Sequence, residues 1–216
     1  MKILELFSGT ESFSKVARER GHETFTVDNN PEFNPDLCID IMDLKPEMIP
    51  FIPDVVWASP PCTFFSVASI GKHWNKDHTP KTLQAELGVK IVKKTVELIR
   101  ELAPEFVIIE NPRGKLRKLD LIPFLKTTAC YCKYGDTRMK PTDLWNNFGF
   151  IGKMCKNGSP CHISAPRGSK TGTQGLKGNM ERSVVPPALC LEILKGLEIR
   201  GGFPDLTEKS INRTLK

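Results

Sequence analysis

The chain has 216 residues, 39% of them hydrophobic and 26% charged, enough to bury a core without disulfide support. No apolar run approaches the roughly 18–20 residues that span a bilayer, and Met1-Lys2-Ile3-Leu4-Glu5-Leu6-Phe7 carries a charge and no small-residue cleavage site, so secreted, membrane-spanning and disordered classes are set aside in favour of a cytoplasmic protein. The net charge of +6 permits a nucleic-acid partner without requiring one, and seven cysteines in a chain with no secretion signal fit a reducing compartment.

Residues 2–7 read as a buried strand, broken by Ser8-Gly9-Thr10, and residues 11–20 follow with Phe13, Val16 and Ala17 at helical spacing. Residues 23–27, 37–41 and 54–58 are the next three strands, closed by Asp28-Asn29-Asn30-Pro31, by Asp40-Ile41 and by Ser59-Pro60-Pro61. Residues 82–102 form an amphipathic helix, with apolar side chains at 83, 87, 91, 92, 96, 98, 99 and 102. Residues 105–109 are a fifth strand, apolar on both faces like a central parallel strand. This alternation predicts an α/β fold: an open, mostly parallel sheet with helices on both faces. Residues 147–182 change texture and read as a basic Gly/Lys-rich loop or small appended module. A helix over 187–197 then returns to the core, leaving residues 1–146 and 183–200 as one domain and residues 201–216 as a loose tail.

Ligands of open α/β sheets sit beyond the carboxyl ends of the strands, and the informative residues fall there. Gly9 lets the backbone approach a ligand. Asp28 and Asp40 are placed to meet the hydroxyls of a nucleoside. Cys62 follows two prolines on a stiff turn, which suits a nucleophile held toward a cleft. Glu110 ends the fifth strand, and neighbouring fourth and fifth strands would put a thiol and a carboxylic acid in one pocket. That pair suits covalent addition to an electron-poor ring with protonation of a ring nitrogen.

The series Phe7-Ser8-Gly9, Asp28, Asp40-Ile41, Ser59-Pro60-Pro61-Cys62, Glu110-Asn111, Gly135-Asp136-Thr137-Arg138-Met139-Lys140 and Ser183-Val184-Val185-Pro186-Pro187 resembles, in order, the motifs of the cytosine C5 DNA methyltransferases. The resemblance implies a Rossmann-like, class I fold dependent on S-adenosylmethionine, with Phe7, Ser8, Gly9, Thr10, Asp28, Asn29, Asp40, Ile41, Ser59, Pro61, Ser183 and Val184 around the cofactor. It implies double-stranded DNA as partner and a cytosine flipped out of the duplex. Cys62 then attacks C6, Glu110 donates to N3, and Lys140, with Arg138 before it, approaches the base at O2. Ser66, Lys72, Trp74, Asn111 and Pro112 are the residues expected to meet the substrate. A bacterial or phage-infected cell is the expected setting.

Several positions depart from the family pattern. Glu11 stands where a second glycine is usual, Pro112 follows Glu-Asn where valine is usual, and Glu181-Arg182 replaces a Gly-Asn pair near the cofactor's methionine end. Asp28 stands where glutamate is usual. The segment between the last two motifs has fewer than forty residues, against a recognition domain of roughly a hundred, so base readout in the major groove is expected to be short or relaxed, or supplied by a protein partner. The loop over 63–81 interleaves Lys72, His73, Trp74, Lys76 and His78, a composition suited to closing over DNA.

Cys130, Cys132, Cys155, Cys161 and His162 offer soft ligands for zinc, but one and five intervening residues fit the usual spacing poorly, and reduced thiols without metal are the preferred reading. Alternation along a strand would also point Cys130 and Cys132 the same way. Besides DNA methylation, a family member acting on RNA, a catalytically silent DNA-binding or regulatory protein, and an enzyme transferring another group to C5 remain open. Retention of both Cys62 and Glu110 argues against the silent alternative.

Overall fold

In the computed structural model, residues 1–67, 70–163 and 179–202 are described. One seven-stranded sheet organises them: β1 (Lys2–Leu6), β2 (Glu23–Asp28), β3 (Leu37–Cys38), β4 (Val55–Ala58), β5 (Phe106–Pro112), β6 (Leu125–Cys130) and β7 (Pro141–Asn146), in spatial order 3-2-1-4-5-7-6. Strands β1 to β5 run parallel, and β7 enters antiparallel between β5 and β6. The strand order reverses between β1 and β4, which opens the crevice where ligands of such sheets bind.

Alternation along the central strands sends neighbours to opposite faces. Leu4, Leu6, Val56, Ala58, Val107 and Ile109 pack with helix α3 (Leu83–Leu102; α2 is the short turn Ile70–His73). Ile3, Val55, Trp57, Phe106 and Ile108 pack with α1 (Ser12–Glu19) and, beyond the short α4 (Asn179–Ser183), with α5 (Pro187–Arg200). Each central strand is thereby buried on both sides, as the continuous apolar sequences of β4 and of the first half of β5 require. The open α/β sheet with helices on both faces is thus the observed fold.

Two local devices differ from the sequence reading. The third strand is only two residues long, because Asp40 accepts a bond from the Met42 amide (2.9 Å) and turns the chain out of the ladder. Helix α1 has no capping side chain at Glu11, which sits at φ 54°. Buried Glu5, inside β1, caps the helix instead: its carboxylate accepts from the Phe13 and Ser14 amides (3.3 and 2.7 Å). Burial pushes that carboxyl up to about 7. No helix among the described residues is long and apolar enough to cross a membrane.

Candidate active site

The loop after β1 turns through three left-handed residues, Phe7, Gly9 and Glu11. The Asp28 carboxylate at the end of β2 gathers this loop, accepting from the Gly9 and Asn30 amides (both 2.9 Å). A cavity of about 210 Å³ opens beside it, lined by Phe7, Val27, Asp28, Asn29, Ile39, Asp40, Ile41, Ser59, Pro61 and Ile91. Seven of the twelve expected cofactor residues therefore share one cavity. Ser8 and Gly9 support its wall through the backbone, and Thr10 through its hydroxyl on Ser12 Oγ. Ser183 and Val184 reach the same corner indirectly: the next amide, of Val185, donates to Ser12 Oγ (3.1 Å), which in turn bonds the Thr10 hydroxyl (3.1 Å). Ile91, contributed by α3, was not foreseen.

This cavity suits a nucleoside-bearing cofactor. Phe7, Ile39, Ile41 and Ile91 make apolar walls for a planar base. Each Asp28 oxygen accepts one amide bond and retains a lone pair for a ribose hydroxyl.

Strands β4 and β5 are neighbours, pairing Ala58 with Ile109, so the segments that follow them emerge side by side. Asn111, fully buried, donates from Nδ2 to the Pro60 carbonyl (2.8 Å) and so holds the turn that carries Cys62. The Cys62 carbonyl accepts from the Phe65 and Ser66 amides (3.0 and 2.9 Å) and starts a tight turn. Gly114 presses on that turn from the other side. A Cβ there would lie 2.2 Å from the Phe65 carbonyl oxygen, and only glycine allows the Lys115 amide to reach that oxygen at 2.6 Å.

Glu110 is buried near the end of β5. Tyr131 Oη donates to its Oε1 (3.0 Å), and the Ser59 hydroxyl, held by Trp57 Nε1 (2.9 Å), also contributes a bond. Burial raises this carboxyl above the ordinary carboxylate range, against the opposing pull of Lys140. Burial and the Glu110 charge push the Cys62 thiol up, while Lys140 and Arg182 pull it down. Lys140 is itself buried and held below an ordinary lysine by desolvation, opposed by Glu110. Cys62, Glu110 and Lys140 thus titrate in one another's field.

Lys140 and Arg138 are both buried, and they separate in role. Lys140, at φ 26°, lies 4.5 Å from the centre of the Tyr131 ring and donates to the Arg182 carbonyl (2.7 Å). Arg138 faces the Asp136 carboxylate and donates to the carbonyls of Glu181, Arg182 and Val184 (3.2, 3.2 and 3.4 Å). Its donors are spent on holding residues 181–184 beside the pocket, so the expectation that Arg138 reaches the base is replaced by a fastening role. Tyr131 was missed because it was read only as the residue between two cysteines.

The loop over 63–81 also departs from expectation. Trp74 was expected to meet the substrate, but it is 5% exposed: its Nε1 donates to the Phe64 carbonyl (2.7 Å) and its ring packs on Phe65. Lys115 Nζ lies 5.2 Å above the Trp74 ring and 2.7 Å from His78 Nδ1. His73 is buried with its Nδ1 on the Thr82 hydroxyl (2.7 Å). His73 and Trp74 therefore lock the loop down, while Lys72, Lys76, His78 and Lys81 are exposed; Ala68 and Ser69 lie outside the described residues. Pro112 completes β5, opposite Thr142.

The family of C-5 cytosine-specific DNA methylases matches residues 1–121 of this chain. A protein of Frog virus 3 (isolate Goorha), named "Probable DNA (cytosine-5)-methyltransferase", is 32% identical over 222 residues, which span 90% of this chain and 99% of the viral one. The chain belongs to the C-5 cytosine-specific DNA methylase family. It is accordingly an enzyme of cytosine C5 methylation in DNA, and family membership implies S-adenosylmethionine as methyl source. The Entamoeba histolytica methyltransferase EhMeth has the same fold, with a TM-score of 0.50 at 12% identity over 71% of this chain and 56% of that one. A mutant of Spodoptera frugiperda DNMT2 aligns with a TM-score of 0.45 at 20% identity, covering 73% and 56% of the two chains. This methylase therefore spans little more than half the length of those solved structures and almost all of the viral relative.

The residues read as an extended basic loop divide in two. In the first part, Asn147 bonds the Val107 amide and the Glu105 carbonyl (both 2.9 Å), Phe148 packs on Phe106, and the Cys130 amide donates to the Lys153 carbonyl (2.9 Å). Residues 147–153 are therefore a clamp on the far edge of the sheet. Residues 164–178, with Arg167, Lys170 and Lys177, lie outside the described residues, as do residues 203–216 of the expected tail.

Proposed function

We propose that this methylase transfers a methyl group to C5 of a flipped cytosine in double-stranded DNA through a covalent bond between Cys62 Sγ and C6. The observation that carries this reading is that Asn111, the neighbour of Glu110, fastens the turn bearing Cys62 through the Pro60 carbonyl (2.8 Å), with Cys62, Glu110 and Lys140 in one another's field and Ser59 and Pro61 of the same turn lining the cavity beside Phe7, Asp28 and Ile41. S-adenosylmethionine, held by the residues of that cavity, would supply an activated methyl there.

The raised Glu110 carboxyl fits its role as an acid. While Glu110 is protonated it no longer repels a thiolate, and the Lys140 charge then favours ionised Cys62. The thiolate forms the Sγ–C6 bond as the Glu110 proton passes to N3, leaving an electron-rich C5 that takes the methyl. Loss of the C5 proton to a base and departure of the Cys62 thiolate restore the ring, and N3 returns its proton to Glu110. Lys140 is the residue whose charge can approach O2, and Tyr131 orients the acid from below. Lys72 and Lys76 supply phosphate contacts, which add affinity without sequence information. With so short a segment between the last two motifs, the recognised sequence is short or relaxed, or a protein partner supplies selectivity.

The test uses labelled S-adenosylmethionine and duplex DNA with the wild type and Cys62→Ala. Label should reach cytosine C5 in the wild type alone, and duplexes carrying 5-fluorocytosine should become covalently trapped, since fluorine cannot leave as a proton. Transfer persisting in Cys62→Ala overturns the covalent route.

A further inference from the structure

Beyond the sheet edge, three thiols and an imidazole converge. Cys132 sits on the turn after β6, and Cys155, Cys161 and His162 come from the strap that follows the clamp; one ligand atom from each lies within 4.8 Å of all the others. Cys155 Sγ is 3.3 Å from Cys161 Sγ and 3.7 Å from His162 Nδ1, and Cys161 Sγ is 3.8 Å from the same nitrogen. Ligands on a tetrahedral zinc, with Zn–S near 2.3 Å and Zn–N near 2.0–2.1 Å, are separated by about 3.5–3.8 Å. All of the cysteines are free. His162 Nε2 is buried without a hydrogen-bond partner among the described residues, so no other bond from the ring accounts for Nδ1 facing the thiols.

We propose that Cys132, Cys155, Cys161 and His162 bind one zinc ion as a closed structural site. Four protein ligands leave no open position for a water or substrate, which separates it from catalytic zinc. The backbone is shaped for it. Gly158, at φ 84°, turns the chain between Cys155 and Cys161 with a Ser159 to Lys156 bond (3.2 Å), and the Ile163 amide donates to the Thr137 carbonyl (2.8 Å). The ion would therefore stitch the strap to the turn that leads into Arg138 and Lys140, in a part of the chain with little apolar core of its own. Cys130 is excluded. Strand β6 ends at Cys130 and a 3-10 turn begins at Tyr131, so strand alternation no longer applies, and the fully buried Cys130 Sγ points to the Cys155 carbonyl (3.9 Å). Of the five candidate ligands named from the sequence, where thiols without metal are the preferred reading, Cys130 alone stands outside the cluster. The inference does not depend on the methyl-transfer reading.

The full-length protein, purified reduced without chelator or affinity metal, should carry about one zinc per chain by elemental analysis. Cobalt(II) added to metal-free protein should give the visible d–d bands of a tetrahedral thiolate site. The pair Cys155→Ser/Cys161→Ser should lose metal and cobalt bands while keeping its far-ultraviolet circular dichroism, and Cys130→Ser should keep both. Wild-type protein with fully reactive thiols and neither zinc nor cobalt bands overturns the site, and metal lost in Cys130→Ser but kept in Cys132→Ser overturns the ligand assignment.

Discussion

Glu110→Gln separates the two roles that the pocket assigns to this carboxyl. The substitution preserves volume, and a glutamine carbonyl can still accept from Tyr131 Oη where Oε1 does now at 3.0 Å. It removes a charge whose burial is unfavourable, so the fold should lose less than about 1 kcal/mol or gain slightly. What disappears is the transferable proton. General acid catalysis contributes roughly 10²- to 10⁴-fold, equivalent to about 3–5 kcal/mol of barrier, and kcat should fall by that factor with little change in cofactor affinity. A second consequence concerns sulfur. The Glu110 charge pushes the Cys62 thiol up, so its removal should bring the thiol down. In the wild type the productive state carries one proton shared between the pair, and the rate should fall both when each group holds a proton and when neither does. In Glu110→Gln the fall at high pH, which belongs to loss of the Glu110 proton, vanishes, leaving a rate that rises with pH until Cys62 is ionised and then stays level. Single-turnover methylation over a pH series measures the first effect, and iodoacetamide alkylation rates over the same series measure the second. A kcat within tenfold of the wild type, or an alkylation midpoint that stays put or rises, refutes this account of the pocket.

Gly114→Ala puts a Cβ 2.2 Å from the Phe65 carbonyl, against backbone that cannot swing aside, and should cost about 2–3 kcal/mol in urea unfolding and displace the Cys62 turn. A loss below about 0.5 kcal/mol would contradict it. Arg138→Met leaves Asp136 and three carbonyls without their shared partner; a loss of about 3 kcal/mol and faster proteolysis within residues 179–184 are expected, whereas a variant equal to wild type in both would deny the fastening role. The folded-state Glu5 carboxyl, raised from 4.5 to about 7, holds a proton that the unfolded chain has released. Stability should therefore fall as pH rises between those values, by up to about 3 kcal/mol from this group. Glu5→Gln should remove that part of the slope in denaturation at pH 5 and pH 7.5, and identical slopes in the two proteins would refute it.

Much of the catalytic half was legible because its signals are local. Continuous apolar runs at residues 55–58 and 106–109 cannot be satisfied except by burial on both faces, and turn residues after each strand mark where side chains leave the sheet. That the fourth and fifth strands, which lead to Cys62 and Glu110, are neighbours was legible in the same way. The roles of Arg138 and Trp74 were not legible, since a basic or aromatic residue in a polar segment reads the same whether it meets nucleic acid or anchors its own chain. Tyr131 carries no distinguishing pattern, and its function exists only through contact with Glu110 and Lys140.

Composition and periodicity, acting through backbone sterics and burial, were enough to establish the mostly parallel sheet and the helix over 82–102. Which side chains meet across distant segments depended on the folded arrangement: Glu5 capping α1, Asn111 holding Pro60, Arg138 gathering residues 181–184, and Cys132 rather than Cys130 joining Cys155, Cys161 and His162. Such pairings follow from which segments the sheet brings side by side, β1 under α1, β4 beside β5, and β6 giving way to a turn at Tyr131, and no spacing along the chain encodes them.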